Sequence, residues 1–148
     1  MKTRALVMAA AMALTAMATT RVAQAQDRRV TVDIPFDFVA GNTQLPAGQY
    51  AVIVTGPTNS LILISAKGAA ASAFISTNAA VSSEPQTDSK LVFNRYGNRY
   101  FLSQVWQQGN AQGRQLLKSA REKEVLQSTE IQDQSQVVLV AGLATTTR

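Results

Sequence analysis

The stretch Lys90–Trp106, KLVFNRYGNRYFLSQVW, constrains the fold of this chain more than any other. Five of the nine aromatic residues lie in it: Phe93, Tyr96, Tyr100, Phe101 and Trp106. Alternation on either side of Gly97-Asn98 predicts two β-strands joined by a tight two-residue loop. With that loop, Arg95 faces Tyr100, Phe93 faces Leu102 and Leu91 faces Gln104. One face then carries Leu91, Phe93, Leu102 and Trp106, which reads as core. The other is mixed, with Val92, Asn94, Tyr96, Arg99, Phe101, Ser103 and Val105. A three-residue loop would shift the register by one and set Phe93 opposite Phe101.

Short strand signals recur along the rest of the chain. Val32, Ile34, Phe36 and Phe38 alternate with Thr31, Asp33, Pro35 and Asp37, the period of a half-buried strand. Pro35 lacks an N–H and belongs on an edge strand or beside a bulge. Leu45-Pro46-Ala47-Gly48 fits a type I turn leading into a strand over 49–55. Leu61-Ile62-Leu63-Ile64 reads as a strand buried on both faces, and 71–77 as an Ala/Ser-rich strand. Residues 78–89 and 107–113 read as loops, with 114–118 extended. Ser119-Ala120-Arg121-Glu122 is a capping box opening one helix within 119–130, with Val125, Leu126 and Ile131 on its apolar side. The last strand is 136–141. Seven or eight strands at short spacing and one late helix predict a mainly β fold, an antiparallel sandwich or small barrel.

The first 25 residues read as a signal peptide. Lys2 and Arg4 form a positive start, Ala5–Thr20 an uncharged Ala-rich stretch, and Ala23-Gln24-Ala25 a small-x-small cleavage site. That stretch is too short and too interrupted by Thr for a membrane span. The remaining 26–148 is expected to be one β-rich domain, with an ordered core over 29–141 and a polar tail over 142–148. Loss of Lys2, Arg4 and Arg21 leaves eleven basic residues and nine acids, a net charge of +2. The high pI therefore argues weakly for nucleic acid or membrane as partner. An exported, periplasmic or extracellular location argues against nucleic acid as well.

The chain has no Cys and no His. Cys/His zinc sites, Cys nucleophiles, His-based triads and haem ligation by His are excluded. No G-x-S-x-G, S-x-x-K, P-loop or G-x-G-x-x-G occurs. No cofactor or metal is expected, and no catalytic residue can be named. Asp33 and Asp37 would lie about 13 Å apart along a strand, beyond the roughly 5–9.5 Å separation of glycosidase carboxylates; a solvated strand face is the preferred reading. Arg114, Lys118, Arg121 and Lys123 form a basic cluster interleaved with glutamates, read as a mixed-charge helix surface rather than an anion site. Arg95, Tyr96, Arg99 and Tyr100 at the hairpin tip are the candidate binding residues, suited to stacking on a sugar or aromatic ligand. Arg–Tyr packing across the hairpin is the preferred reading over that one.

Four segments together resemble a group of small uncharacterised exported bacterial proteins of acidobacterial type. They are Ile34-Pro35-Phe36-Asp37-Phe38, Gly41 to Val52 with its L-P-A-G-x-Y, Leu91 to Trp106 with its F-x-R-Y-G-x-x-Y-F-L, and Gly113 to Leu126. The resemblance implies export and a β-rich domain, and carries over no functional residue. The function expected is therefore a non-enzymatic exported β-domain, structural or binding an envelope glycan or protein. The alternative is a small barrel carrying an apolar or aromatic ligand, with the small residues of Ala69–Ala80 leaving it room.

Overall fold

Alternating side chains, rather than long apolar runs, build this protein, a computed structural model of which describes residues 29–128 and 134–141. The expected signal peptide, the tail over 142–148 and Ile131 lie outside those residues. The strands are β1 (Arg29–Ile34), β2 (Phe38–Ala40), β3 (Thr43–Leu45), β4 (Gly48–Thr55) and β5 (Leu61–Ala66). They continue as β6 (Ser72–Val81), β7 (Lys90–Tyr96), β8 (Arg99–Trp106), β9 (Gln112–Leu116) and β10 (Gln134–Val140). The helix, α1, spans Ala120–Gln127.

The fold is mainly β and roughly sandwich-like, with a mixed sheet that does not close into a barrel. One layer is β1-β4-β5-β6, antiparallel throughout. β6 then leaves it: Leu61–Ser65 of β5 pair with Ser72–Ser76, whereas Thr77–Val81 pair with β9. The second layer runs from β9 through β8 to β7 and β10. On its β9 side, β8 also takes β2 as a parallel neighbour at Val39 and Phe101.

That one parallel pair makes the sheet mixed, and the described residues form ten strands where seven or eight were expected. The run 30–38 breaks after Ile34, where Pro35 has no N–H to continue a ladder. Asp37 then turns its carboxylate to accept from Ala47 N at 2.8 Å, so it holds a turn rather than decorating a strand face. Gly41, at φ +61°, lets β2 and β3 form a hairpin of their own. The expected loop at 78–89 begins later, because β9 supplies ladder partners out to Val81. The extended segment at 114–118 is in fact β9, two residues earlier.

The core lies between the layers. Tyr50, Phe38 and Phe93 are fully buried and meet edge to face, with Phe38 at 5.2 Å from Tyr50 and 5.5 Å from Phe93. Each such ring contributes roughly 2–3 kcal/mol through burial. Tyr50 donates its hydroxyl to the Pro46 carbonyl four residues upstream at 2.8 Å, the geometry of a tyrosine corner. Ile62 and Ile64 are buried, but Leu61 and Leu63 are half-exposed, so β5 is covered on one face only. Across the open face, Ile53, Leu63 and Phe74 form one cross-strand row, in which Phe74 is 71% exposed.

The hairpin keeps the two-residue loop. Gly97 has φ +60° and Asn98 is on the negative side, the type II′ pattern with Gly first. Arg95 faces Tyr100 and Phe93 faces Leu102, as that loop requires. Beyond Phe93 the register shifts, so Leu91 faces Val105 and not Gln104. A bulge of this kind adds one residue to one strand and exchanges the faces beyond it. Val105 thereby enters the main core, while Trp106 leaves it and lies over Gly113 of β9.

The second face of the hairpin is not open either. α1 covers it, packing Val125 against Tyr96, Phe101 and Val39. Ser119 caps the helix by accepting from Glu122 N at 3.1 Å. The Glu122 carboxylate does not complete the box but points into the sheet. Leu126, expected on the apolar side, is 37% exposed.

Candidate functional site

The four tip residues divide between the two faces of the hairpin. Tyr96 is only 3% exposed. Its hydroxyl donates to Glu122 Oε1 at 3.0 Å, and Asn94 Nδ2 donates to the same oxygen at 2.9 Å. Burial first, then that hydrogen bond and the Glu122 charge, push the Tyr96 phenol up to about 12. Tyr96 is thus a helix anchor and presents no ring for a ligand to stack on.

Tyr100 lies on the opposite side and stacks on Phe36, with centroids 3.8 Å apart and planes 14° from parallel. The Arg95 guanidinium approaches the Tyr100 ring at 5.9 Å and donates through Nε to the Gly97 carbonyl at 2.7 Å. Cross-strand Arg–Tyr packing is therefore present at this pair. Arg99 is exposed, on the helix-facing side beside Tyr96.

Beside the tip is an open cleft of about 610 Å³, bounded by β8, α1 and the β2–β3 hairpin. Its charged rim is Arg99, Arg121, Asp37 and Glu124, and the amides of Asn98 and Gln44 stand among them. Beneath the rim lie the half-buried Val39 and the buried Phe101 and Val125. Arg121 Nη1 reaches Gln44 Oε1 at 3.4 Å, across 77 residues of sequence. Two guanidinium groups and two carboxylates give the rim a formal charge of zero, with strong donors and acceptors side by side.

Of the residues singled out in the sequence, Arg99 and Tyr100 reach this cleft; Arg95 and Tyr96 are not among its lining. Asp37, Gln44, Glu124 and Arg121 were not read as site residues. Arg121 and Glu124, three apart, share a helix face, which is the one local hint that they act together. Asp37 and Gln44 arrive only through the parallel pairing of β2 with β8.

Tyr50, Phe38 and Phe93 fill the space between the layers, and the Ala-rich β6 is covered where Gly41 packs over Ile75. A Cβ built on Gly41 would meet Ile75 Cγ2 at 3.3 Å. Among the described residues, no group of three or more Asp or Glu is placed to hold a metal ion. No helix among them is long and apolar enough to cross a membrane. Comparison with protein-family models, with curated proteins and with solved structures returns no match to the chain.

Proposed function

We propose that this protein is an exported, non-catalytic β-domain that binds a neutral, hydroxyl-rich partner, an envelope glycan, in the cleft beside the hairpin tip. The observation that carries this reading is the rim of Arg99, Arg121, Asp37 and Glu124. A rim of balanced charge gives no preference for an anion or a cation. It offers paired donors and acceptors, which vicinal hydroxyls can satisfy. The leader-like first 25 residues support a location where such polymers occur.

The test is retention of the purified domain on an array of envelope oligosaccharides. Arg99→Ala combined with Arg121→Ala should lower affinity by about tenfold or more, the loss expected when charge-assisted hydrogen bonds are removed. Both side chains are on the surface, so the melting temperature should change little. Equal retention by the double variant, or no retention of the wild type, refutes the reading.

A further inference from the structure

A second cleft, of about 550 Å³, opens at the other end of the hairpin. The tip cleft meets β8 at Arg99–Phe101, whereas this one meets its far end at Val105 and Gln107. The two are separated by about 20 Å at the rise of a strand. Two arginines line this basal cleft: Arg29 at the start of β1 and Arg114 on β9. Among the described residues, no Asp or Glu lines it. Asp88, next in sequence to the lining residue Ser89, is exposed, and its carboxylate accepts from the Thr87 hydroxyl at 3.0 Å. Among the described residues, the balanced charge of the tip cleft is replaced here by two positive groups.

The wall is built before any ligand arrives. Gly109 N donates to the Gln86 carbonyl at 2.8 Å, and Gln86 N donates to the Asn110 carbonyl at 3.1 Å. Gln108 N donates to Ser89 Oγ at 3.0 Å, and Gln112 N to Asn110 Oδ1 at 2.9 Å. Five polar contacts of this kind, counting Asn110 N to the Gln107 carbonyl at 3.2 Å, fix a loop whose composition of Gln, Gly and Asn would otherwise leave it mobile. The cost of ordering the site is thus met by the fold rather than by binding. The volume falls within the roughly 300–1,000 Å³ of small-molecule sites.

We infer that the basal cleft is a binding site for a sugar bearing an acid group, carboxylate or phosphate. A guanidinium presents a planar fork of N–H donors that matches either oxyanion. The side-chain amides of Gln108 and Gln112 each carry a donor and an acceptor, the pattern that adjacent hydroxyls need. The inference is independent of the reading of the tip cleft, with which it shares no residue.

The test is a set of four titrations of the full domain followed by backbone amide NMR, with D-glucuronate, glucose 6-phosphate, glucose and inorganic phosphate. The two acidic sugars should shift the amides of Gln108–Asn110 and Gln112–Arg114, with a Kd of about 1 mM or tighter. Glucose should bind about tenfold more weakly, for want of the charge-assisted bonds, and inorganic phosphate weakly, for want of the hydroxyls. Whichever acidic sugar binds tighter identifies carboxylate or phosphate as the group recognised. Arg114→Gln and Arg29→Gln should each reduce affinity about tenfold; Arg29, at the end of a strand, gives the charge test without disturbing β9. Arg99→Ala, in the other cleft, should leave these titrations unchanged. Binding of glucose as tight as that of both acidic sugars overturns the inference, as does binding unaffected by both arginine substitutions, or an absence of shifts at these amides.

Discussion

Replacing Gly113 by Ala should damage the fold although it adds a single methyl group. A Cβ built there falls 2.5 Å from Cε3, 2.6 Å from Cδ2 and 2.9 Å from Cζ3 of Trp106. Carbon atoms pack comfortably at about 3.5–4.0 Å, so the indole must retreat by about 1 Å. It is poorly placed to do so, being 8% exposed and tethered through Nε1 to Gln104 Oε1 at 3.0 Å. Overpacking costs about 1–3 kcal/mol, and a 2.5 Å approach to a tethered ring belongs at the top of that range, about 3 kcal/mol. The backbone of Gly113 is not in the left-handed region, so Ala also returns about 0.5–1 kcal/mol by restricting the unfolded chain. The net expectation is a loss of about 2 kcal/mol. Trp106 is the chain's single tryptophan, so its emission during urea unfolding reports both global stability and the displaced ring. With a urea slope of about 2 kcal/mol/M, the midpoint should fall by about 1 M. In a Trp106→Ala background the same substitution should become neutral or mildly stabilising, giving a coupling of about 2–3 kcal/mol. A Gly113→Ala variant as stable as the parent, with unaltered emission, would refute the stacking of Trp106 on β9 and with it the bulge that sends the indole there.

Two further expectations concern the seat of the helix. Glu122→Ala removes the acceptor shared by Asn94 and Tyr96 and leaves two donors short, so stability should fall by about 2–4 kcal/mol in chemical denaturation; a change below about 0.5 kcal/mol would show that the carboxylate does not hold α1 down. Raising the pH should weaken the fold through the same contact. The Tyr96 phenol ionises near 10 when unfolded and near 12 when folded, so its stabilising contribution is complete below pH 10. It declines as pH rises from 10 to 12, by up to about 2–3 kcal/mol. Burial, with the Asp37 charge second, raises Tyr50 in the same direction. Denaturation midpoints measured from pH 8 to 11.5 should therefore fall above pH 10, and less steeply in Tyr96→Phe. An identical slope in that variant would exclude Tyr96 as a source.

What the sequence disclosed was what neighbours in the chain determine. Gly97-Asn98 set the loop and the first four pairs of the hairpin, Ser119 marked the helix start, alternation placed Val32 and Ile34 in the core, and the apolar run 61–64 placed Ile62 and Ile64 there. The L-P-A-G-x-Y turn carried more than was read from it, since a Tyr four residues beyond Pro46 is positioned to lock that turn with its hydroxyl. Other features depended on partners distant in sequence. The shift beyond Phe93 moved Val105 and Trp106 to faces opposite those their spacing implied. Glu122 looked like a solvent-facing cap residue because nothing local announces that Asn94 and Tyr96 lie beneath it. The tip cleft was half legible for the same reason: Arg99 and Tyr100 belong to the hairpin, but Asp37, Gln44 and Arg121 meet them only after β2 has aligned with β8. The basic cluster 114–123 proved not to be a cluster, since Arg114 faces one cleft and Arg121 the other.

The ten residues of β6 are hydrogen-bonded to β5 over their first half and to β9 over their second. Sandwiches built from two separate sheets have a seam along which one sheet can loosen while the other persists. Here that seam is crossed by a continuous backbone, and opening either layer strips half the ladder from a strand the other layer needs. Partial unfolding normally follows the boundaries between supersecondary units. A strand shared between layers removes that boundary, so the domain should lose its structure in one step, with its two clefts lost together.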